Sequence, residues 1–499
     1  MKTRRDDRAA IREKDVRRVA VSPDGKTAVV VAATAGQTNL YSYALDDLAA
    51  ERPVARQITT TAGDKADVQF MPDSKEVVYL DAGRIQIANL ERRDSRPLSV
   101  TAELTVDFDR EKRVIFGQAW ALLRDNFFDP AFHGVNWETS RERYGQRVAA
   151  SANADELRRI VNLMIGDLNA SHSGISGPGA PPAIGRLGLE FERADWEKSG
   201  RLVVASVVPL GPATLARQIA PGDVLAAIDG QPITAGTSLD ERLANTIDRR
   251  VVLSIEKGGR GPAREVVVRP VNQATEKSLL YRAWVEGNRE YVLKASGGRF
   301  GYVHMINMSA AALDQLRIDL DVENHQLDGV VLDIRNNSGG FVNAYALDVF
   351  SRQPYLRMST RGVPEAPARG VLGQRALESA TVLVTNQHSL SDAEDFTEGY
   401  RALKLGPVVG EPTAGWIIYT WDERLVDGST LRLPRMRVKA SDGGEMEGVP
   451  RKVDVEVSRP LGEWLAGKDS QLDEAIKALI KKLGRAETPA PAASAARIR

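Results

Sequence analysis

Residues 329–340 have the sequence GVVLDIRNNSGG, in which a short apolar run ends in a polar turn with two glycines. An apolar run of this length, rich in β-branched residues, is typical of a strand buried in a parallel sheet. TVLVT at 381–385 is a second such run, and a turn and a helical pattern follow each of them. This alternation predicts an α/β domain over residues 280–485.

A serine stands where the second of these strands gives way to a helix. Residues 388–396 have the sequence HSLSDAEDF, so that Ser391 directly precedes an acidic first turn. Free backbone N–H groups surround such a position, which suits a nucleophile with oxyanion donors beside it. Serine is also a favoured N-cap residue, and capping alone is sufficient to explain its presence.

The paired glycines at 339–340 give the other junction a related property. Glycines let backbone N–H groups approach a ligand closely, although a glycine turn that binds nothing has the same sequence. Because neighbouring parallel strands end at one edge of a sheet, we expect this turn and Ser391 to face a common crevice.

A serine nucleophile needs a base, for which histidine and lysine are the options. His172 lies in the loop SHSG at 171–174, beside two hydroxyls, although a lone loop histidine is more often a surface residue. His388 is close to Ser391 in sequence, but this closeness does not place it within hydrogen-bonding distance. If His172 is the base, activity should fall below about pH 6 as the imidazole becomes protonated.

The composition excludes several classes of function. The 499 residues include 67 Lys+Arg and 67 Asp+Glu, and this zero net charge argues against nucleic acid as the main partner. The absence of cysteine excludes disulfides and thiolate nucleophiles, and five histidines without an HExxH motif argue against a metal site. We therefore expect no metal and no organic cofactor. The longest apolar stretch is too short to span a membrane, which predicts a soluble, cytoplasmic protein without a membrane partner.

The N-terminal part, residues 1–101, contains two copies of one β pattern. VRRVAVSPDGKTAVVVAA at 16–33 and ADVQFMPDSKEVVYLDA at 66–82 each place a Pro-Asp turn between two apolar runs. The spacing suits two blades of a β-propeller, which needs at least four blades to close. We therefore expect the remnant of a truncated propeller; two ordinary hairpins are the alternative.

The middle of the chain divides into a helical and a β segment. Residues 102–180 have helical periodicity over about 111–125 and again from Ala154. Residues 185–272 resemble a PDZ domain, because RLGL at 186–189 matches a carboxylate-binding loop and APGDVL at 220–225 precedes IDG. Any small β-barrel is the alternative. The resemblance assigns peptide binding to Leu187, Gly188 and Leu189. The Ala/Pro-rich tail, 486–499, is predicted to be disordered.

Together these segments resemble the tricorn proteases, within the wider family that includes the C-terminal processing proteases. The motifs that support this are LNASH (168–172), GVVLDIRNNSGG (329–340), HSLSDAEDF (388–396) and VVGEPTAGW (408–416). In the processing proteases the last of these segments ends in a catalytic lysine. Trp416 has that position here, as in the tricorn branch, which uses a Ser-His-Ser-Glu tetrad.

The resemblance implies a role for each member of such a tetrad. Ser391 would be the nucleophile, His172 the general base and Ser171 the second serine. Glu447 is the better match to the family's glutamate, with Glu445 as the alternative.

The resemblance also implies an oxyanion hole and a fold class. The donors would be the N–H groups of Asp392 and of one glycine at 339–340, for which we take Gly339. The implied fold is a multidomain α+β protein with partial β-propeller blades, a small helical core domain, a PDZ-like β domain and an α/β catalytic domain.

The function implied is hydrolysis of peptides by a serine peptidase through an acyl-enzyme, with peptides as partners. The alternative is a non-catalytic scaffold that binds peptides through its PDZ-like domain and has an inactive peptidase fold. By resemblance alone, a homo-oligomer is one candidate assembly.

Overall fold

The computed structural model describes residues 15–34, 37–45, 55–61, 63–98, 100, 105–179, 183–362, 364–367 and 376–484. The chain divides into two compact units, Met1–Val106 and Asp107–Arg499. The tail predicted to be disordered, 486–499, lies outside the described residues.

Within its described residues, the first unit contains two four-stranded antiparallel sheets whose strands pair in chain order. The strands of one sheet are β1 (Asp15–Val21), β2 (Thr27–Thr34), β3 (Gln37–Ala44) and β4 (Arg56–Gln57). Those of the other are β5 (Lys65–Phe70), β6 (Glu76–Asp81), β7 (Arg84–Asn89) and β8 (Asp94–Pro97). Four strands per sheet agree with the predicted propeller blades.

The sequence repeat corresponds to equivalent turns in the two sheets. Asp24 Oδ1 accepts a hydrogen bond from the Lys26 N–H, and Asp73 Oδ1 accepts one from the Lys75 N–H, both at 3.0 Å. Each aspartate thus closes the turn between the first two strands of its sheet, as expected for Asx turns.

The second unit begins with three helices, α1 (Phe108–Asn126), α2 (Trp137–Ala150) and α3 (Ala154–Gly166), followed by the short strand β9 (Gly174–Ser176). The helices predicted near 111–125 and from Ala154 are confirmed. Helix α2 was not predicted, because its buried apolar residues are only Trp137, Tyr144 and Val148. None of the helices in the part of the chain that the structure describes is long and apolar enough to cross a membrane.

An antiparallel β domain follows. Its elements are β10 (Leu189–Phe191), α4 (Arg193–Ser199), β11 (Leu202–Val207), α5 (Pro212–Ala216), β12 (Val224–Ile228), β13 (Gln231–Pro232), α6 (Leu239–Arg242), β14 (Val251–Glu256) and β15 (Arg264–Val268). The strands have the order β10-β11-β12-β14-β15, with β13 paired to β12. A single apolar core lies between this sheet and its short helices.

The remaining elements build an α/β domain. They are α7 (Gln273–Ala295), β16 (Phe300–His304), α8 (Ala310–Ile318), β17 (Gly329–Asp333), α9 (Asn343–Ser351), β18 (Arg357–Met358), β19 (Ala366–Pro367), β20 (Ala380–Thr385), α10 (Asp392–Ala402), β21 (Val408–Gly410), β22 (Tyr419–Arg424), β23 (Thr430–Met436), β24 (Val455–Glu456) and α11 (Ser470–Lys482).

The core of this domain is a five-stranded parallel sheet with the order β16-β17-β20-β21-β24. Helices α8, α9 and α10 cover one face of the sheet, and α7 and α11 cover the other. Strands β17 and β20 are direct neighbours, so that the turns after them lie at the same edge, as the sequence predicts.

A separate antiparallel sheet connects the helical segment to the α/β domain. Strand β9 pairs with β23, which pairs with β22. Leu431 and Leu433 of β23 are buried in the same core as helices α1 to α3. This packing fixes the loop that carries His172, just before β9, to the C-terminal part of the chain.

Candidate active site

Ser391 occupies a strained turn between β20 and α10. Its backbone has φ 58° and ψ −124°, a conformation that residues other than glycine rarely adopt. The Ser391 N–H donates a hydrogen bond to the carbonyl oxygen of Trp416 at 3.0 Å. Backbone strain held in place by surrounding structure is characteristic of functional turns.

The glycine turn after β17 packs directly against this serine. Gly339 has φ 81°, and a Cβ atom added to it would lie 2.5 Å from Ser391 Cβ and 2.9 Å from the Leu390 carbonyl oxygen. The Leu390 N–H donates to the Asn337 carbonyl at 2.9 Å, which ties the two turns together. Only glycine at 339 allows this close approach.

The predicted oxyanion donors lie in this same contact. The added Cβ at Gly339 would be 3.1 Å from the Asp392 nitrogen, so Asp392 N and the glycine turn are adjacent. The Gly339 N–H, however, donates to Asn337 Oδ1 at 2.9 Å. Among the hydrogen bonds of the described residues, none involves the Gly340 N–H.

The Asp392 side chain has a role that the sequence did not reveal. Its carboxylate accepts hydrogen bonds from the Val342 N–H at 2.7 Å and the Asn343 N–H at 3.0 Å, and also from Asn343 Nδ2. Burial raises the pKa of Asp392, although these donors counteract the rise. Asp392 therefore fastens the start of α9, just after the glycine turn, to the start of α10.

Glu394, one turn further into α10, holds a third segment in place. It is fully buried, and its carboxylate accepts from Thr413 Oγ1 at 2.6 Å and from the N–H groups of Gly415 and Trp416, each at 2.7 Å. The sequence did contain a signal for it, because Ser391 and Glu394 have the spacing of a capping box.

His172 lies beside Ser171 and Glu447. Ser171 Oγ is 2.7 Å from His172 Nδ1 and 3.1 Å from Glu447 Oε2. The Ser171 N–H donates to Glu447 Oε1 at 2.8 Å. Glu445, in contrast, is partly exposed and forms an ion pair with Lys439 at 3.1 Å. Of the two candidate glutamates, it is Glu447 that contacts the serine next to His172.

Residues 416 and 417 connect these two groups of side chains. The Trp416 carbonyl accepts from the Ser391 N–H, and the next N–H, that of Ile417, donates to Glu447 Oε2 at 2.7 Å. Residues 416 and 417 thus link the Ser391 turn to Glu447, which contacts the serine beside His172. Among the described residues, no hydrogen bond joins the candidate base directly to the candidate nucleophile.

The environment of His172 keeps its imidazole neutral. Burial lowers its pKa to about 4, and the positive charge of Arg432 adds to this effect. A cavity of about 470 Å³ opens here, lined by residues 172–176 and by Asp422, Thr430 and Arg432. His388 is exposed, and its backbone N–H donates to Asn386 Oδ1 at 3.0 Å.

A buried ion network lies at the end of β17, just before the glycine turn. Arg335 is only 2% exposed and binds the carboxylates of Asp333 at 2.7 Å and Asp469 at 2.9 Å. Its carbonyl oxygen lies 2.9 Å from His304 Nε2. The sequence does not reveal this network, because Asp469, which caps α11, lies 134 residues after Arg335 in the chain.

The PDZ-like residues lie in the antiparallel β domain. Leu187 is buried, Gly188 has φ 69°, and Leu189 begins β10. The Gly188 N–H donates to Glu276 Oε1 of α7 at 3.1 Å.

Comparisons with known families match three parts of the chain. Residues 299–457 match peptidase family S41, residues 108–166 match the tricorn protease C1 domain, and residues 211–273 match the tricorn protease PDZ domain. These matches lie in the α/β domain, the helical segment and the antiparallel β domain.

Individual relatives give the same result. Tricorn protease homolog 1 of Streptomyces coelicolor is 30% identical over 466 residues, covering 89% of this chain and 42% of that protein. Tricorn protease of Thermoplasma acidophilum is 27% identical over 453 residues, covering 86% of this chain and 40% of that protein. The chain therefore spans about 40% of the length of these curated relatives.

A solved structure shares the fold. The crystal structure of the tricorn protease superposes with a TM-score of 0.73 at 23% identity, covering 94% of this chain and 46% of that one. The predicted resemblance and the multidomain α+β fold class are confirmed. Residues 299–457 thus match peptidase family S41, and two further segments match the C1 and PDZ domains of the tricorn proteases.

Proposed function

We propose that the protein hydrolyses peptides through an acyl-enzyme, with Ser391, His172, Ser171 and Glu447 as a catalytic tetrad. The observation that carries this proposal is the position of Ser171 Oγ between His172 Nδ1 and Glu447 Oε2. The match of residues 299–457 to peptidase family S41 supports the reaction class.

The hydrogen bonds around Ser171 support one arrangement of the protons in the proposed tetrad. The Glu447 carboxylate can only accept, so the Ser171 hydroxyl donates to it. Ser171 Oγ then accepts from His172 Nδ1–H, which leaves Nε2 as the unprotonated, basic nitrogen. The relay therefore selects the tautomer of His172 that a general base requires.

The reaction has two steps. His172 Nε2 takes the hydroxyl proton as Ser391 Oγ attacks the peptide carbonyl carbon, and the proton then passes to the leaving amine as the C–N bond breaks. Water hydrolyses the resulting ester in the same way. His172 and Ser391 must approach each other for this, and catalytic hydrogen bonds often tighten only when substrate binds.

The Asp392 N–H is the proposed first donor to the oxyanion, because it lies beside the glycine turn and next to Ser391. For the second donor we retain Gly339, whose N–H must leave Asn337 Oδ1 in order to act. Gly340 is the alternative within the same pair.

One observation favours the alternative function, a peptide-binding scaffold with an inactive peptidase fold. Within the described residues, no hydrogen bond joins His172 to Ser391. In a scaffold this gap would persist, and the protein would bind peptides through its PDZ domain without turnover.

Labelling with a fluorophosphonate probe, located by peptide mass spectrometry, distinguishes the two functions without knowledge of the substrate. We expect wild type to be labelled at Ser391 and the Ser391→Ala and His172→Ala variants to remain unlabelled. His388→Ala is the matched control, because this nearby histidine is exposed. Absence of labelling in folded wild type would support the scaffold.

The wider setting of the activity is also a proposal. We propose that the substrates are peptides, that the protein is cytoplasmic and that it forms a homo-oligomer. The family resemblance and the sequence support these proposals.

A further inference from the structure

The carboxylate-binding loop of the PDZ domain is already in contact with a carboxylate. The Gly188 N–H donates to Glu276 Oε1 at 3.1 Å. Glu276 lies in the first turn of α7, the helix that leads from the PDZ domain to the parallel sheet. A backbone N–H in such a loop is the group that would otherwise receive the C-terminal carboxylate of a peptide.

The strand next to this loop has a free edge. Strand β10 is the terminal strand of its sheet, and among the described residues no strand pairs with its outer edge. An extended peptide can add to such an edge through backbone hydrogen bonds. A peptide running antiparallel to β10 would bring its C-terminus to Gly188, the residue that immediately precedes the strand.

An apolar cavity lies at the other end of β10. Its volume is about 310 Å³, and it is lined by the apolar residues Phe191, Trp196, Leu202 and Leu239 together with Glu192, Arg193 and Thr237. Such a cavity accepts an apolar side chain of the added peptide. The free edge, the carboxylate-binding N–H and this cavity together fit a peptide that has a free C-terminus and an apolar side chain upstream of it.

We propose that Glu276 is an internal occupant of this loop, and that a peptide with a free C-terminus binds the PDZ domain by displacing it. Both carboxylates need the Gly188 N–H, so the two states exclude each other. Occupancy by Glu276 thus weakens peptide binding and couples it to release of the first turn of α7. This proposal does not depend on the proposed peptidase activity.

Helix α7 does not need Glu276 for its own start. The Asn272 side chain caps the helix by accepting from the Thr275 N–H at 2.8 Å. Further along, the Tyr281 hydroxyl is 2.9 Å from His304 Nδ1 and anchors the helix to β16. A variant without the Glu276 carboxylate is therefore expected to fold.

The test measures binding by fluorescence anisotropy in the full chain carrying Ser391→Ala, which prevents hydrolysis of the probe. The probe is a fluorescein-labelled heptapeptide with leucine at its free C-terminus and valine two residues before it; the same peptide with a C-terminal amide is the second ligand. If Glu276 occupies the loop nine-tenths of the time, Glu276→Ala tightens the apparent Kd of the acid peptide about tenfold.

Controls separate competition from a general effect on the domain. Glu290→Ala removes an exposed acid from the same helix and should leave both affinities unchanged. Glu276→Gln should give an intermediate gain, because its amide oxygen is a weaker acceptor. The amide peptide should gain little in any variant. Equal or weaker binding of the acid peptide to Glu276→Ala, an equal gain for the amide peptide, or no binding to any variant would overturn the proposal.

Discussion

Glu447 lies 276 residues after Ser171 in the chain, yet its carboxylate accepts both the N–H and the hydroxyl of this serine, at 2.8 and 3.1 Å. The contact joins the loop after α3 to the loop that precedes β24. It also orients the serine hydroxyl that contacts His172. The proposed mechanism depends on Ser171 and Glu447, because in it their hydrogen bonds determine which nitrogen of His172 carries the proton.

The first prediction concerns the pH dependence of the reaction. Because burial lowers the pKa of His172 to about 4, the base stays neutral well below pH 6. The acid limb of kcat/KM should therefore have its midpoint near pH 4, below the value near 6 that the sequence alone suggests. Arg432→Gln removes a positive charge and should move this midpoint to higher pH.

A pH–rate profile with a midpoint at or above 6 in wild type would contradict this environment for His172. Arg435→Gln, on the same strand, is a matched control. It also removes a positive charge, but Arg435 is not among the causes of the lowered His172 pKa.

The second prediction concerns Glu394 as a positioning residue. In Glu394→Gln, the amide NH₂ would face N–H donors that now bind a carboxylate oxygen. The 415–417 segment should shift, and a displacement of this kind costs up to about 100-fold in rate. We expect kcat to fall with little change in KM.

Glu398→Gln is the control for the same helix. Glu398 binds Arg451 at 2.9 Å, outside the contacts of the Ser391 turn. If both variants lose activity equally, in proportion to their loss of thermal stability, Glu394 has a structural role only.

The third prediction concerns close packing at Gly339. Gly339→Ala would place a methyl group 2.5 Å from Ser391 Cβ, so the two turns must separate. Fluorophosphonate labelling of Ser391 should be lost. Gly298→Ala introduces a similar backbone strain at φ 82° but meets nothing within 4 Å. Labelling that survives Gly339→Ala at the wild-type rate would show that this contact is dispensable.

The fourth prediction concerns stability. Arg335→Met removes the guanidinium that pairs with the buried carboxylates of Asp333 and Asp469, which costs about 3–5 kcal/mol. Arg299→Met removes a more exposed ion pair with Asp328 and should cost under about 1 kcal/mol. Urea unfolding of both variants measures the difference. A cost for Arg335→Met similar to that for Arg299→Met would mean that the buried network contributes little.

Local sequence patterns predicted much of the fold. Strands β17 and β20 follow from their continuous apolar runs and helices α1 and α3 from their helical periodicity, and the paired Pro-Asp turns indicated two repeated sheets. Helix α2 was not predicted, because most of its residues are polar. The elements that were predicted depend on residues close together in the chain, which is why a single sequence reveals them.

The sequence predicted only those residues of the candidate site that lie within a family motif. The motifs around His172 and Ser391 made both residues candidates through the family resemblance. The roles of the Asp392 side chain, Glu394 and Ile417 depend on contacts between distant segments, which periodicity does not encode. The choice of Glu447 over Glu445 as the partner of Ser171 likewise depends on geometry.

The central claim is that Ser171 and Glu447 act as one relay on His172. A double-mutant cycle on the rate of fluorophosphonate labelling at Ser391 tests it most directly, with Ser171→Ala, Glu447→Gln and the double variant. Residues that act as a unit are non-additive, so the double variant should be labelled about as slowly as the slower single variant. Effects that multiply in the double variant would contradict the relay.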